Sequence, residues 1–172
     1  MYFELKSDRL GIRDIRVSDY AFVLDLLNDP AFIQNIGDRQ IRTEDQAKTY
    51  ISSHLISSYT QHGFGMYLVQ LHDGTPLGMC GILKRNELDS PDIGFAFLED
   101  FRSKGYAYEA SKAVLNDYTQ RWNYDNLYGI CKQENMDSRK LLQRLGLHFS
   151  KMITYKGEEN TCLYALKYDE PL

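Results

Sequence analysis

The sequence predicts an α/β fold: a mixed, mostly antiparallel, seven-stranded twisted sheet with four helices spread over both faces. Three observations predict it. The apolar residues change period along the chain, from two in short runs to three or four in longer ones. A strand–helix–strand unit at 92–131 sits among antiparallel hairpins, and such a crossover makes its two strands, the fourth and fifth, parallel neighbours with a right-handed connection. The 172 residues carry 43% hydrophobic side chains and no linker or repeat, so residues 1–172 read as one domain.

The elements run β-α-α-β-β-β-α-β-α-β-β. Residues 9–16 alternate in part, through Leu10, Ile12 and Ile15, and read as a strand. Ser18 reads as the N-cap of a helix whose Phe22, Val23, Leu26 and Leu27 share a face, with Pro30 ending it. A second helix starts at Thr43, where TEDQ is a capping box, and buries Ala47, Tyr50, Ile51 and Leu55. Strands at 64–70 and 77–84 flank LHDGTP, whose Asp-Gly centre suits a hairpin turn, and a strand at 92–98 completes the meander. The third helix begins near Gly105 and presents Ala107, Ala110, Ser111, Val114, Leu115, Tyr118 and Trp122 on one face. Residues 126–131 are a short buried strand. Asn135 caps a fourth helix that buries Leu141, Leu142 and Leu145, and Gly146 stops it. LHFSKMITY and TCLYALKY are the last strands, joined through KGEEN.

Composition excludes several functions. A net charge of −4 argues against a general nucleic-acid binder. No apolar run reaches the ~18 residues of a membrane span, and MYFELKSDRL lacks the apolar core of a secretory signal, so the expected compartment is the cytoplasm. The three cysteines, Cys80, Cys131 and Cys162, sit in strand-like apolar contexts and read as small buried hydrophobes. The histidines are scattered, and no metal site is expected.

The chemistry concentrates at FRSKGYAYEA, residues 101–110. A helix N-terminus offers unpaired N–H groups and partial positive charge, both favourable to phosphate. Gly105 lets a ligand approach the backbone, Ala107 keeps the first turn open, and Arg102 and Lys104 add charge. The spacing is neither GxxxxGK[ST] nor GxGxxG. On these residues alone the segment is either an ordinary turn or a pyrophosphate cradle.

Its surroundings decide between the two. Arg102-x-x-Gly105-x-Ala107 resembles the Q/R-x-x-G-x-G/A motif of the GNAT superfamily, the acetyl-CoA-dependent N-acetyltransferases. DIGFAFLEDF resembles the fourth strand of that family and NMDSRKLLQRLGLHF its fourth-helix region. The opening SDRLGIRDIRVSDY and the run IGFAFLEDFRSKGYAYEA resemble the Rim-type branch, the ribosomal-protein N-terminal acetyltransferases. Ser103 stands where that branch often has Gly, and Tyr108 replaces a small hydroxyl residue.

The resemblance implies a site. The backbone of Phe97 and Leu98 would pair with the pantetheine arm of acetyl-CoA, and the N–H groups of Arg102, Ser103, Lys104, Gly105, Tyr106 and Ala107 would hold its pyrophosphate. Asn135 would contact the pantetheine or the entrance to the fourth helix. Ser138 would lie near the thioester sulfur and return a proton to the thiolate, because residues 137–147 contain no Tyr. Asp92, Glu87, Asp89 and Glu99 are candidate bases for the acceptor amine. The acceptor pocket would come from the first two helices and the loops around 30–41 and 84–91. The implied reaction is acetyl transfer to a primary amine, foremost the α-amine of a protein or peptide. The alternatives are a small-molecule amine or a non-catalytic acyl-CoA-binding module. Neither a nucleic acid nor a membrane is an expected partner, and the chain would act as a monomer or homodimer.

Overall fold

In the computed structural model, which describes residues 3–122 and 126–167, strict alternation carries the middle of the sheet. In β3 (Met66–Leu71), Tyr67 and Val69 point to one face and Met66 and Leu68 to the other. The other strands are β1 (Glu4–Lys6), β2 (Leu10–Asp14), β4 (Pro76–Leu83), β5 (Asp92–Phe97), β6 (Tyr128–Lys132), β7 (His148–Tyr155) and β8 (Glu158–Ala165). They form one sheet in the order β1-β2-β3-β4-β5-β6-β8-β7. Every pairing is antiparallel except β5–β6.

The helices are α1 (Tyr20–Leu27), α2 (Pro30–Asn35), α3, α4 (Tyr106–Arg121) and α5 (Met136–Arg144). Helix α3 runs through Glu44–Tyr50, a π-helical stretch Ile51–Ile56, and Ser57–His62. One core joins Ile12, Val69, Ile82 and Ile93 of the sheet to Val114 of α4 and Leu142 of α5. The opposite core joins Leu68 and Met79 to Val23 and Leu26 of α1 and Ile51 of α3. Gly129 lets α5 approach β6: a Cβ there would lie 2.4 Å from Leu142 Cδ2.

The parallel crossover, the Thr43 capping box and the buried, free state of all three cysteines match expectation. Among the described residues, however, the sheet has eight strands, and there are five helices. Strand β1 has three residues, too few for alternation to register, and it is held by pairing with β2. Pro30 does not end a helix; it begins α2 at its first turn, where a missing N–H costs nothing, and Asp29 caps it. Ser18 caps nothing. It lies in a 3₁₀ turn, Val17–Asp19, and Asp19 Oδ2 accepts the Arg16 N–H at 2.8 Å. Tyr168, at the end of the last predicted strand, lies outside the described residues.

Candidate active site

Strands β5 and β6 touch at one end and then part. Their register holds one Cα pair, Asp92 and Tyr128, and the Tyr128 N–H donates to Pro91 O at 2.9 Å. On its other edge β5 pairs with β4 along its whole length, and the Leu98 N–H donates to Leu77 O at 3.0 Å. Alternation between these anchors turns the backbone groups of Ile93, Phe95 and Phe97 toward the gap. The edge available to an added strand is therefore that of Phe95 and Phe97, while the Leu98 N–H is already taken by the sheet.

The chain leaves β5 through a 3₁₀ turn, Glu99–Phe101, in which the Arg102 N–H donates to Glu99 O at 3.1 Å. Ser103 (φ 59) and Gly105 (φ 82) then adopt the left-handed conformation, and α4 begins. Among the described residues, the N–H groups of 103–108 have no protein acceptor. Six consecutive donors at the N-terminus of a 16-residue helix are an arrangement that favours an anion. Arg102 is not one of these donors. Its guanidinium turns inward, with Nε on Phe97 O at 2.9 Å and Nη2 on Asp29 Oδ1 at 2.5 Å. The same Asp29 oxygen accepts the Ala31 and Phe32 N–H groups, so one 8% exposed carboxylate ties α2 to the loop.

The loop is braced from behind by the β1–β2 turn. Arg9 Nη1 donates to Lys104 O at 3.0 Å, Arg9 Nε pairs with Glu109 Oε2 at 2.7 Å, and the guanidinium lies 4.4 Å over the Tyr106 ring. Ser7 Oγ and the Arg9 N–H donate to Glu109 Oε1 at 2.7 and 2.8 Å. Burial raises the Glu109 pKa, but these donors and the Arg9 charge outweigh it and hold the carboxyl below its ordinary range. A Cβ at residue 105 would lie 3.3 Å from Arg9 Nη2.

Asn135 caps α5, its Oδ1 accepting the Ser138 N–H at 3.1 Å. Both residues are half-buried. Ser138 Oγ has no hydrogen-bond partner among the described residues, so its hydroxyl is not spent on its own helix. Of the candidate bases, Glu87, Asp89 and Glu99 are exposed. Asp92 faces away from Ile93 and Phe97, as alternation requires, and is 1% exposed. Its Oδ1 accepts from Arg85 Nε at 2.7 Å, while Oδ2 is buried without a partner. Burial pushes the Asp92 carboxyl up, Arg85 pulls it down, and the net shift is upward.

Sequence reasoning missed Ser7, Arg9, Asp29, Arg85 and Glu109. Arg9 and Glu109 stand inside stretches that carried the resemblance, but no local signal joins residues 100 positions apart.

The family description "Acetyltransferase (GNAT) domain" matches residues 9–148. The uncharacterized N-acetyltransferase YnaD of Bacillus subtilis (strain 168) is 25% identical over 159 residues, which cover 90% of each chain. YkkB of the same organism is 25% identical over 156 residues, 87% of this chain and 88% of YkkB. An acetyltransferase from Agrobacterium tumefaciens str. C58 superposes with a TM-score of 0.82 at 19% identity over 98% of both chains. RimL, a ribosomal L7/L12 alpha-N-protein acetyltransferase in complex with coenzyme A, superposes with a TM-score of 0.80 at 17% identity over 95% of this chain and 97% of its own. At such identities these structures establish the fold. The family match spans most of the sequence, and the chain belongs to the GNAT acetyltransferases, the acyltransferases that draw their acetyl group from acetyl-CoA.

Proposed function

We propose that this chain, acting as one domain over residues 1–172, transfers the acetyl group of acetyl-CoA to the α-amine of a protein or peptide. The observation that carries the cofactor half is the row of six unpaired N–H groups at 103–108, set beside the open edge of β5. In this reading Ser103, Lys104, Gly105, Tyr106 and Ala107 hold the pyrophosphate. Phe97 pairs with the pantetheine, with Phe95 beside it, and Leu98 keeps that edge in register through Leu77. Arg102 serves through its side chain, neutralised by Asp29, and adds little net charge at the phosphates.

Asn135 orients the start of α5 so that Ser138 Oγ, without a hydrogen-bond partner among the described residues, can return a proton to the departing thiolate. An α-amine has an ordinary pKa near ~8, so a substantial fraction is neutral at physiological pH and needs little help to attack. The RimL neighbour, named as acting on the α-amine of a ribosomal protein, supports the acceptor class.

The test is a panel of peptides and small amines incubated with acetyl-CoA, with released thiol and acetylated product both measured. The expected product is a peptide acetylated on its α-amine. Acetylation confined to polyamines or other small amines lacking a peptide bond would overturn the peptide reading.

A further inference from the structure

The cofactor cleft leaves unused a polar cluster on the α1–α3 face of the sheet. Arg85, just beyond β4, donates Nε to Asp92 Oδ1 and Nη1 to the Tyr155 hydroxyl, both at 2.7 Å. Asp92 Oδ2 is buried with no partner. Tyr50, on α3, joins the cluster: burial raises its hydroxyl pKa, while the charge of Arg39, a hydrogen bond from the Arg39 guanidinium and the charge of Arg85 lower it. Arg39 Nε is also buried without a hydrogen-bond acceptor, and Arg39 enters no ion pair among the described residues.

Local structure sets Arg39 in this position. Asp38 Oδ1 accepts the Gln40 N–H at 2.7 Å, Asp38 Oδ2 accepts Arg42 Nη2 at 2.6 Å, and Asn28 Nδ2 holds Ile41 O at 2.8 Å. Gln40 takes φ 57 to close this turn. Asp38 and Gln40 are exposed on either side, while Arg39 is half-buried.

Two buried side-chain atoms of opposite character thus stand unpaired in one cluster. Leaving either dry and unpaired is costly. A guanidinium cannot shed its charge and asks for an anion; a carboxylate oxygen asks for an N–H donor. With Lys84 and Glu87, whose charges also reach Asp92, the cluster holds three cations against two carboxylates, an excess of positive charge in a chain of net −4.

We propose that Arg39, Tyr50 and Arg85 form the subsite for a carboxylate on the acetyl acceptor, with Asp92 Oδ2 on the side of its amine. The acceptor is therefore an α-amine with a carboxylate close by. That chemistry has two sources: an acidic side chain in the first residues of a peptide, or the carboxylate of an amino acid. The proposal rests on the α-amine reading above and narrows it.

The experiment measures acetyl transfer at saturating acetyl-CoA to matched acceptors that differ only in the carboxylate. Peptides beginning with Asp or Glu are compared with those beginning with Asn or Gln, and amino acids with their amides. Carboxylate acceptors should show kcat/KM at least about tenfold higher. Arg39→Gln should raise KM for them about tenfold to a hundredfold, leaving acetyl-CoA affinity and kcat on the amide acceptors unchanged. Arg39→Lys should recover part of the loss, and Tyr50→Phe should reproduce it in smaller measure. A preference seen only with peptides assigns the peptide source, and one seen only with amino acids the small-molecule source.

Equal rates on acid and amide, or an Arg39→Gln defect shared by both, overturns the subsite and leaves the α-amine reading standing. If no α-amine is acetylated while acetyl-CoA still binds, the α-amine reading itself falls and the subsite with it. The wild-type preference decides the matter even where a variant folds poorly.

Discussion

At residue 105 the loop between β5 and α4 combines a left-handed backbone, φ 82, with a Cβ position that lies close to Arg9. Gly105→Val conflicts with both. It should cost about 1–3 kcal/mol of stability and lower acetyl-CoA affinity at least about tenfold, measured by urea unfolding and calorimetry. Ser103 presents the converse case. It holds φ 59 with a side chain that disfavours that conformation. Ser103→Gly should therefore stabilise the protein by up to about 1 kcal/mol and leave the cofactor's binding constant unchanged, because the N–H it presents is the same. Ser138 has a free hydroxyl and a committed N–H. Ser138→Ala should cut kcat roughly 10²-fold with acetyl-CoA affinity intact; an unchanged kcat removes it from the chemistry. The capping role of Asn135 and the Gly at 105 were legible in local sequence, since caps and turns depend on near neighbours. The inward turn of Arg102 was not, because its acceptor Asp29 lies 73 residues away.

The element that braces the loop before α4 is the β1–β2 turn behind it. Ser7 and Arg9 converge on Glu109, and Arg9 also holds Lys104 O. The Glu109 carboxyl sits below its ordinary pKa of 4.5 in the folded protein. Its contribution is thus fully present above pH 4.5 and is lost as pH falls through the lowered folded value. Acid unfolding followed by circular dichroism should show this: between about pH 5 and about pH 3 the stability of Glu109→Gln should fall less with pH than that of the wild type. Parallel curves would mean that the clamp does not contribute. Helix α2 shows why boundaries resist local reading. Pro30 is both a common terminator and a favoured first residue, and only the bonds to Asp29 show which role it takes.

Across the whole molecule, the parting of β5 from β6 opens a gap between two neighbouring strands inside an otherwise continuous sheet. A ligand that fills the gap and covers the 103–108 donors stabilises the folded state by mass action. At a hundredfold excess over its binding constant, coenzyme A should add about 2.7 kcal/mol, or about 5–10 °C in Tm. Amide exchange should slow at residues 93–97 and 103–108. Protection confined to another part of the sheet would move the cofactor site. Among the described residues, no helix is long and apolar enough to cross a membrane.

The sequence by itself determined the order of the main strands and helices, the parallel crossover, the Thr43 and Asn135 caps, and the start near Gly105 of the helix that follows β5. Each of these rests on period, capping or turn chemistry written within a few residues. Only the tertiary structure decided which edge of β5 stays open, that Arg102 neutralises Asp29, that Arg9 and Glu109 brace the loop, and that Arg85 joins Asp92 to Tyr155. Three of those side-chain contacts span 100, 73 and 70 residues of chain. Nothing local distinguishes a buried partner of that kind from an exposed charge. The fold supplies the pairing, by laying the β1–β2 turn against the start of α4 and bringing the end of β7 over Arg85.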